Sequence, residues 1–156
     1  MDHTMHYTTP LGELLLASDG AALIGVWFCD QAHFAANLDE HTEESDAVLT
    51  ETAQWLDRYF SGEEPGALPR LAPRGTDFQK AVWQKLLEIP RGETTTYGAI
   101  AETLQSSARA VGGAVGRNPI SILIPCHRVM GAYGRLTGYA GGIERKQALL
   151  QLEHAG

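Results

Sequence analysis

Long apolar runs and an abundance of cysteine are both missing from this 156-residue chain. No apolar run approaches the ~20 residues that a membrane helix needs, so no membrane span is expected. The two cysteines, Cys29 and Cys126, lie far apart, which argues against a disulfide framework. No basic segment leads into an apolar one at the start, so we expect no secretory signal. With 44% hydrophobic and 20% charged residues, the sequence predicts a soluble globular protein of the cytosol or nucleus.

Acidic and basic residues are distributed unevenly. Residues 1–66 hold thirteen acidic residues and one basic residue, Arg58, whereas residues 67–156 hold eleven basic and six acidic ones, so the formal charge of -7 divides into -12 and +5. No acidic residue lies between Glu102 and Glu144, and four arginines fall inside that window. They are Arg109, Arg117, Arg128 and Arg135. This window suits the docking of a polyanion, and it equally suits a solvated surface of locally skewed charge.

Turn residues divide the N-terminal part of the chain into short apolar stretches. Those stretches, Met5–Thr8, Leu14–Ala17 and Leu23–Phe28, predict three strands in a meander. From Ala47 to Phe60 the apolar residues recur at helical spacing, and Gly62 follows where a helix C-terminal cap belongs. We expect this helix to cover one face of the sheet.

Three prolines mark a boundary between two domains. They lie between Gly62 and Gly75 among small and charged residues, a composition that resists both helix and strand. We therefore predict an N-terminal α/β domain over residues 1–66, a linker over residues 67–75 and a C-terminal domain over residues 76–156.

The C-terminal part has the pattern of several short helices. Thr76-Asp77-Phe78-Gln79 has the spacing of a capping box and precedes an amphipathic helix that ends before Pro90. Two further helices, Tyr97–Leu104 and Ala108–Gly116, are separated by a tight turn, which predicts a helix-turn-helix. The expected fold class is α+β: a small N-terminal antiparallel sheet with a helix, joined to a mainly helical C-terminal domain that contains the helix-turn-helix.

The helix predicted over Ala108–Gly116 is unusually rich in glycine. Each glycine inside a helix costs ~1 kcal/mol of stability relative to alanine, and this helix contains Gly112, Gly113 and Gly116. We therefore expect that some contact of this helix requires a surface without side chains. Close packing against a neighbouring helix is one explanation, and entry into a DNA minor groove only about 6 Å wide is the other. Arginines at both ends of the helix favour the groove.

Cys126 lies where an apolar run, Ile120–Ile124, is broken by proline. A lone buried cysteine is usually inert, but the adjacent His127 makes it a candidate nucleophile. Neighbouring side chains on a helical turn do not face each other, so we expect a water to link the sulfur and the ring. The ring also needs an orienting group. Glu153, at the end of a helix predicted over Ile143–Leu152, is one candidate, and a solvated terminal glutamate is the alternative.

Four motifs of the C-terminal part together resemble a known family. They are Arg109-Ala110-Val111-Gly112-Gly113-Ala114, Arg117-Asn118-Pro119, Ile124-Pro125-Cys126-His127-Arg128-Val129 and Thr137-Gly138-Tyr139-Ala140-Gly141-Gly142. This combination resembles the O6-alkylguanine-DNA alkyltransferases, also called methylated-DNA-protein-cysteine methyltransferases. The resemblance extends from Thr76 to Glu153 and, more loosely, over Tyr7–Trp27.

The resemblance implies a DNA repair protein that flips O6-alkylguanine out of duplex DNA and transfers the alkyl group irreversibly to its own cysteine, once per molecule. Cys126 would accept the alkyl group, His127 would be the water-linked base, and Glu153 would orient the ring. Tyr97 would help to rotate the nucleotide and donate a hydrogen bond to the leaving base. Asn118 would brace the turn that leads from the helix-turn-helix to the active-site segment.

The resemblance also implies a DNA-binding surface and a base pocket. Arg109 would fill the gap left by the flipped guanine. The other residues expected to contact DNA are Tyr97, Ala110, Gly113, Ala114, Arg117 and Arg128. The base pocket would be lined by the backbone at Cys126 and Val129 and by Tyr139, Ala140 and Gly141. The expected partner is double-stranded DNA carrying O6-alkylguanine, bound by a protein that is monomeric in solution. The expected location is cytoplasmic, nucleoid-associated in a prokaryote or nuclear in a eukaryote.

Attack by a thiolate on an alkyl carbon requires an activated thiol, but it requires no metal or organic cofactor. We therefore expect no cofactor, and we expect the Cys126 thiol to ionise more readily than a free cysteine, whose pKa is ~8.5. Some relatives carry zinc in the N-terminal domain, and Cys29 with His33 and either His3 or His6 could mimic such a site. A buried strand-end cysteine beside a surface histidine is the favoured interpretation.

Two other functions fit parts of the pattern. A non-catalytic protein that recognises alkylguanine lesions would resemble this chain, but such relatives lack the cysteine, so Cys126 argues against it. A cysteine hydrolase could use Cys126, His127 and Glu153, but it would leave the glycine-rich helix without a role.

The family's usual turn between Tyr97 and Arg109 is also about two residues longer and contains glycine and proline that this chain lacks.

Overall fold

The N-terminal part forms a four-stranded sheet covered by one helix. A computed structural model describes residues 1–155. Its first strands are β1 (Asp2–Thr9), β2 (Gly12–Ser18), β3 (Leu23–Phe28) and β4 (His41–Glu43), in the spatial order β3-β2-β1-β4. The predicted antiparallel meander of β1, β2 and β3 is confirmed. The short β4 was not predicted, and it pairs in parallel with β1, so the sheet is mixed.

Alternation along β2 explains how this sheet separates two apolar layers. Leu14 and Leu16 face helix α1 (Ala47–Phe60) and join the main core, whereas Leu15 and Ala17 face the opposite side. Successive side chains of a strand point to opposite faces of the sheet, so one strand serves both layers. Helix α1 has the bounds that the sequence predicts.

The C-terminal part contains the predicted helices and a small second sheet. The elements are α2 (Asp77–Leu86), β5 (Thr95–Thr96), α3 (Tyr97–Leu104), α4 (Ala108–Gly116), β6 (Val129–Met130) and α5 (Ile143–Ala155). The capping box is present, because Thr76 and Gln79 each accept the other's backbone N–H. Strand β5 pairs in parallel with β6, which places the start of α3 beside the segment that follows Cys126.

The apolar run 120–124 packs the active-site segment against the edge of the N-terminal sheet. Val26 of β3 donates its N–H to the Pro119 carbonyl at 2.8 Å, and the Ser121 N–H donates to the Val26 carbonyl at 2.9 Å. Residues 67–75, where the sequence predicts the linker, contain no helix and no strand beyond a one-residue bridge from Leu71 to Leu23. Within residues 1–155, no helix combines the length and the apolar character needed to cross a membrane.

The turn of the helix-turn-helix is closed by a residue in an unusual conformation. Helix α3 ends at Leu104, and the next residue, Gln105, has φ 53° and ψ 46°, in the left-handed region. Ser107 then caps α4, accepting the Ala110 N–H at 3.1 Å. A side chain in the left-handed region costs roughly 1–2 kcal/mol, and glycine avoids most of that cost. The three-residue turn therefore contains local strain.

We predict that Gln105→Gly raises the free energy of unfolding by about 0.5–1 kcal/mol, because it relieves this strain. Gln84→Gly is the matched control, since Gln84 is exposed inside α2 and glycine there should cost about 1 kcal/mol. Urea unfolding of both variants measures the difference. Equal destabilisation by the two substitutions would contradict the strained turn.

Candidate active site

Cys126 begins a tight helical turn, Cys126–Arg128, and is only 4% exposed. The segment before it is held by the buried side chain of Asn118. The Asn118 Nδ2 donates to the Ile124 carbonyl at 2.8 Å, and its Oδ1 accepts the Ile120 N–H at 3.0 Å. One side chain thus fixes both ends of the apolar run that leads into Cys126.

Glu153 is a buried carboxylate that three residues bind. The Tyr59 hydroxyl and His127 Nε2 each lie 2.6 Å from its Oε2. Arg128 donates from Nε to Oε1 at 2.8 Å and from Nη2 to Oε2 at 3.0 Å. Burial alone would raise the pKa of Glu153, but the hydrogen bonds from His127, Arg128 and Tyr59 hold that pKa well below its usual range. Glu153 is only 3% exposed, in the last turns of α5, so it is not the solvated terminal glutamate that the sequence left as the alternative.

His127 is fully buried and has one ring nitrogen free. Its Nε2 is bound to Glu153, whereas its Nδ1 has no hydrogen-bond partner within residues 1–155. Burial lowers the pKa of His127, against the opposing effect of the Glu153 carboxylate. A neutral ring that donates its Nε2–H to the ionised carboxylate leaves Nδ1 as a proton acceptor. The ring is therefore prepared to act as a base through Nδ1.

The sequence analysis expected the Cys126 thiol to ionise more readily than a free cysteine, and this prediction is wrong for the structure without DNA. Burial raises its pKa to about 11, although a hydrogen bond from Asn118 and the charge of Lys146 act in the opposite direction. The loss of hydration on burial destabilises the thiolate by more than these two groups stabilise it. The thiol is therefore protonated at neutral pH in the absence of DNA.

Lys146 is a component of the site that the sequence analysis missed. It is fully buried on α5, and its Nζ donates to the Val129 carbonyl at 2.5 Å. Burial lowers the pKa of Lys146, and the nearby Cys126 has the opposite effect. The available signal was helical spacing, because Lys146 lies on the same face of α5 as the fully buried Leu149 and as Glu153. Lys146 therefore binds the backbone at Val129, which the resemblance places in the base pocket.

A cavity of about 360 Å³ lies between α3, α4 and the loop before α5. Its lining includes Tyr97, Gly112, Thr137, Tyr139 and Ala140. The Tyr97 hydroxyl lies 3.5 Å from the Gly138 carbonyl and 3.4 Å from the Thr137 hydroxyl. The volume of the cavity is within the ~300–1,000 Å³ that is usual for small-molecule pockets.

Tyr139 lines this cavity and also contacts His127. Its ring makes an edge-to-face contact with His127, with centroids 6.5 Å apart, and its buried hydroxyl has no partner within residues 1–155. Burial raises the pKa of Tyr139 well above its usual value, and the nearby Cys126 adds to this effect. Gly141 is not among the residues that line this cavity. A Cβ added at Gly141 would lie 2.7 Å from the Tyr139 ring, so the glycine leaves room for that ring, and its place in the base pocket stays a prediction.

The exposed face of α4 carries most of the residues expected to contact DNA. Arg109, Ala110, Gly113 and Arg117 are all exposed. Ala114 is an exception, being 4% exposed with its carbonyl bound by the Trp83 indole N–H. It shares the buried helix face with Val111 and Val115, so its assignment to the DNA surface is corrected.

Arg128 also does not belong to that surface. Its side chain is 11% exposed, its ion pair with Glu153 occupies two nitrogens, and its Nη1 donates to the Ile89 carbonyl at 2.7 Å. A guanidinium that makes three hydrogen bonds inside the protein has few N–H groups free to bind a phosphate. The expected DNA contact is replaced by a role in holding Glu153.

Two family models match this chain. Residues 77–155 match "6-O-methylguanine DNA methyltransferase, DNA binding domain", and residues 4–66 match "6-O-methylguanine DNA methyltransferase, ribonuclease-like domain". The methylated-DNA–protein-cysteine methyltransferase of Mycobacterium tuberculosis strain H37Rv is 46% identical over 154 residues, covering 96% of this chain and 92% of that protein. The protein of the same name from Methanosarcina acetivorans is 45% identical over 149 residues, covering 94% and 95%.

The fold agrees with a solved structure of a close relative. The crystal structure of Mycobacterium tuberculosis OGT in complex with DNA superposes with a TM-score of 0.89 at 44% identity, covering 98% of this chain and 93% of that one. With sequence, family models and fold in agreement over nearly the whole length, the chain belongs to the 6-O-methylguanine DNA methyltransferase family.

Proposed function

We propose that this protein repairs DNA by transferring the alkyl group of O6-alkylguanine to Cys126. The observation that carries the proposal is the buried arrangement of a thiol followed directly by His127, whose Nδ1 is free and whose Nε2 is held by Glu153. Relatives at 45–46% identity bear the name methylated-DNA–protein-cysteine methyltransferase. The presence of the cysteine disfavours a role restricted to lesion recognition.

The exposed face of α4 supports duplex DNA as the partner. A Cβ added to Gly113 or Gly116 would meet nothing within 4 Å, so packing inside the protein does not explain these two glycines. Gly112 differs, since its Cβ would lie 3.9 Å from the Tyr97 ring. A smooth helix face flanked by Arg109 and Arg117 fits a narrow minor groove, and an arginine can fill the space left by a flipped base.

The chemical step is a displacement at the alkyl carbon. His127 Nδ1 accepts the thiol proton, directly or through a water, as the Cys126 sulfur forms a bond to the carbon. The bond between that carbon and guanine O6 breaks, and its electron pair remains on the base. Tyr97, at the wall of the cavity, donates a hydrogen bond to the leaving base, which ends as guanine once it takes up a proton. The product thioether is not hydrolysed, so each molecule acts once.

Access to the sulfur requires a rearrangement near Tyr139. Cys126 does not line the 360 Å³ cavity, whereas Tyr139 and Ala140 do. We infer that the flipped base displaces this wall before the alkyl carbon reaches the sulfur. Closing of the protein around the base then excludes water from the reaction.

We predict that Cys126→Ser abolishes alkyl transfer from a duplex containing O6-methylguanine, because the nucleophile is lost. Duplex binding should change by no more than about twofold, since the contacts to phosphates remain. Transfer of a radiolabelled methyl group and fluorescence anisotropy measure the two properties. Methyl removal by the serine variant would refute the proposed function.

Arg109→Ala should slow repair of the duplex roughly 10- to 100-fold, because the extruded state loses the side chain that fills the gap. The reaction with free O6-benzylguanine should be unchanged, since no base is flipped. Arg117→Ala, on the same face, is the control: it should weaken DNA binding and reduce its salt dependence. Equal losses of Arg109→Ala on both substrates would assign Arg109 to the pocket.

The raised pKa of Cys126 predicts low reactivity toward small electrophiles. In a Cys29→Ser background, the alkylation rate by iodoacetamide should rise about tenfold per pH unit up to pH ~10, whereas that of free cysteine levels off above ~8.5. The shape of the profile reports the ionisation independently of access to the sulfur. A plateau above pH 8.5 in the folded protein would contradict the raised pKa.

Glu153→Gln should lower the free energy of unfolding by about 3 kcal/mol, because it leaves the Arg128 guanidinium without its counter-charge. Because its pKa is lowered on folding, Glu153 stabilises the protein at pH values above the pKa of the unfolded state, ~4.3, and this stabilisation is lost as the pH falls below that value. The difference from wild type should therefore shrink in acid. Glu144→Gln, exposed on the same helix, should stay within about 0.5 kcal/mol. Equal stability of all three proteins would remove Glu153 from this role.

A further inference from the structure

Tyr59 brings the N-terminal domain into direct contact with the catalytic residues. It lies in the last turn of α1, it is fully buried, and its hydroxyl donates to Glu153 Oε2 at 2.6 Å. His127 Nε2 lies 2.6 Å from the same oxygen. An ionised carboxylate only accepts hydrogen bonds, so the hydroxyl and the ring N–H both donate to this atom. Tyr59 therefore acts on the proposed base through one shared oxygen.

The ring of Tyr59 is held by its neighbours. It stacks on Trp55 with centroids 5.4 Å apart, and it meets Phe60 edge to face at 5.2 Å. The guanidinium of Arg91, which follows α2, lies over the ring at 5.4 Å from its centroid. Aromatic and cation contacts of this kind restrict the ring to one position in a packed core. The fold thus places the hydroxyl against Glu153.

Several titratable groups face the pair formed by His127 and Glu153. They are Tyr59 from α1, Cys126 and Arg128 from the turn that carries His127, Lys146 from α5 and Tyr139 from the loop before α5. Burial and the charges of Arg128 and Lys146 lower the pKa of His127. Tyr59 differs from these cations, because it binds the carboxylate without adding charge. Burial raises the pKa of Tyr59 far above its usual value, so its hydroxyl stays protonated and remains a donor.

The hydrogen bond from Tyr59 affects how strongly Glu153 stabilises a charged ring. A hydrogen bond that an ionised carboxylate accepts lowers the affinity of that carboxylate for protons. Without the hydroxyl, Glu153 would stabilise a positively charged ring more strongly, and His127 would stay protonated at Nδ1 up to a higher pH. A ring that carries this proton cannot accept the proton of the Cys126 thiol.

We propose that Tyr59 is a positioning residue for alkyl transfer, which fixes Glu153 Oε2 against His127 and keeps His127 Nδ1 free to accept a proton. The inference rests on the proposed function and adds a residue of the N-terminal domain to it. The C-terminal domain carries the nucleophile and the base, whereas the N-terminal domain sets the protonation state of the base.

Tyr59→Phe tests this proposal, because it removes the hydroxyl and keeps the ring. Single-turnover transfer from free O6-benzylguanine avoids any effect on DNA binding. Between about pH 5 and 9, the plateau rate should fall about 3- to 10-fold, and the acid limb of the profile should move up by about 0.5–1 pH unit. Histidine NMR, with the His127 signal assigned from His127→Gln, should show the same upward shift in the titration of that ring.

Tyr7→Phe is the matched control, since Tyr7 also donates to a carboxylate of α1, that of Asp57, and makes this contact at the protein surface. It should leave the rate, the pH profile and the histidine titration unchanged. Thermal unfolding of both variants identifies any loss of stability. A lower melting temperature of Tyr59→Phe with an unshifted pH profile would make Tyr59 a purely structural residue and overturn the proposal. An equal shift in Tyr7→Phe would overturn it as well.

Failure of this inference is distinguishable from failure of the proposed function. Wild-type protein that accepts no benzyl group would refute the proposed function and this inference with it. Normal transfer by the wild type, with the same pH profile in Tyr59→Phe, would refute the role of Tyr59 alone.

Discussion

The buried carboxylate of Glu153 is the constraint on which the active site depends. Its two oxygens receive four hydrogen bonds, from Tyr59, His127 and Arg128. An ion in such a position is tolerated only when it is fully paired. Since Tyr59 belongs to α1, the N-terminal domain supplies one of the groups that hold the carboxylate in place. The acidic N-terminal half therefore takes part in ordering the site.

Burial also controls the protonation of the Cys126 thiol. The pKa of Cys126 near 11 keeps it protonated, and the proposed mechanism uses the neutral His127 beside it as the acceptor for that proton. A protein that acts once per molecule is lost whenever its thiol meets the wrong electrophile. A thiol that is protonated and enclosed until a base enters reduces such losses. In the proposed mechanism, selectivity thus comes from the same desolvation that raises the pKa.

Local signals account for what the sequence predicted well. The capping box of α2 and the apolar spacing of α1 depend on residues near one another in the chain, and both are confirmed. The buried position of Ala114 was also available from its spacing with neighbouring valines. The contacts that Arg128 and Tyr59 make with Glu153 could not be predicted in this way, because the partners are 25 and 94 residues apart in the chain. Tertiary contacts of this kind leave no periodic signal.

The most direct test of the account is the mass of the protein after reaction with DNA. Wild-type protein is incubated with an excess of a duplex containing O6-methylguanine, and intact and peptide masses are then measured. The account predicts a gain of one methylene unit per molecule, stable to further incubation and located on Cys126, with unmodified guanine in the DNA. An unchanged protein mass, or a methyl group on another residue, would contradict it.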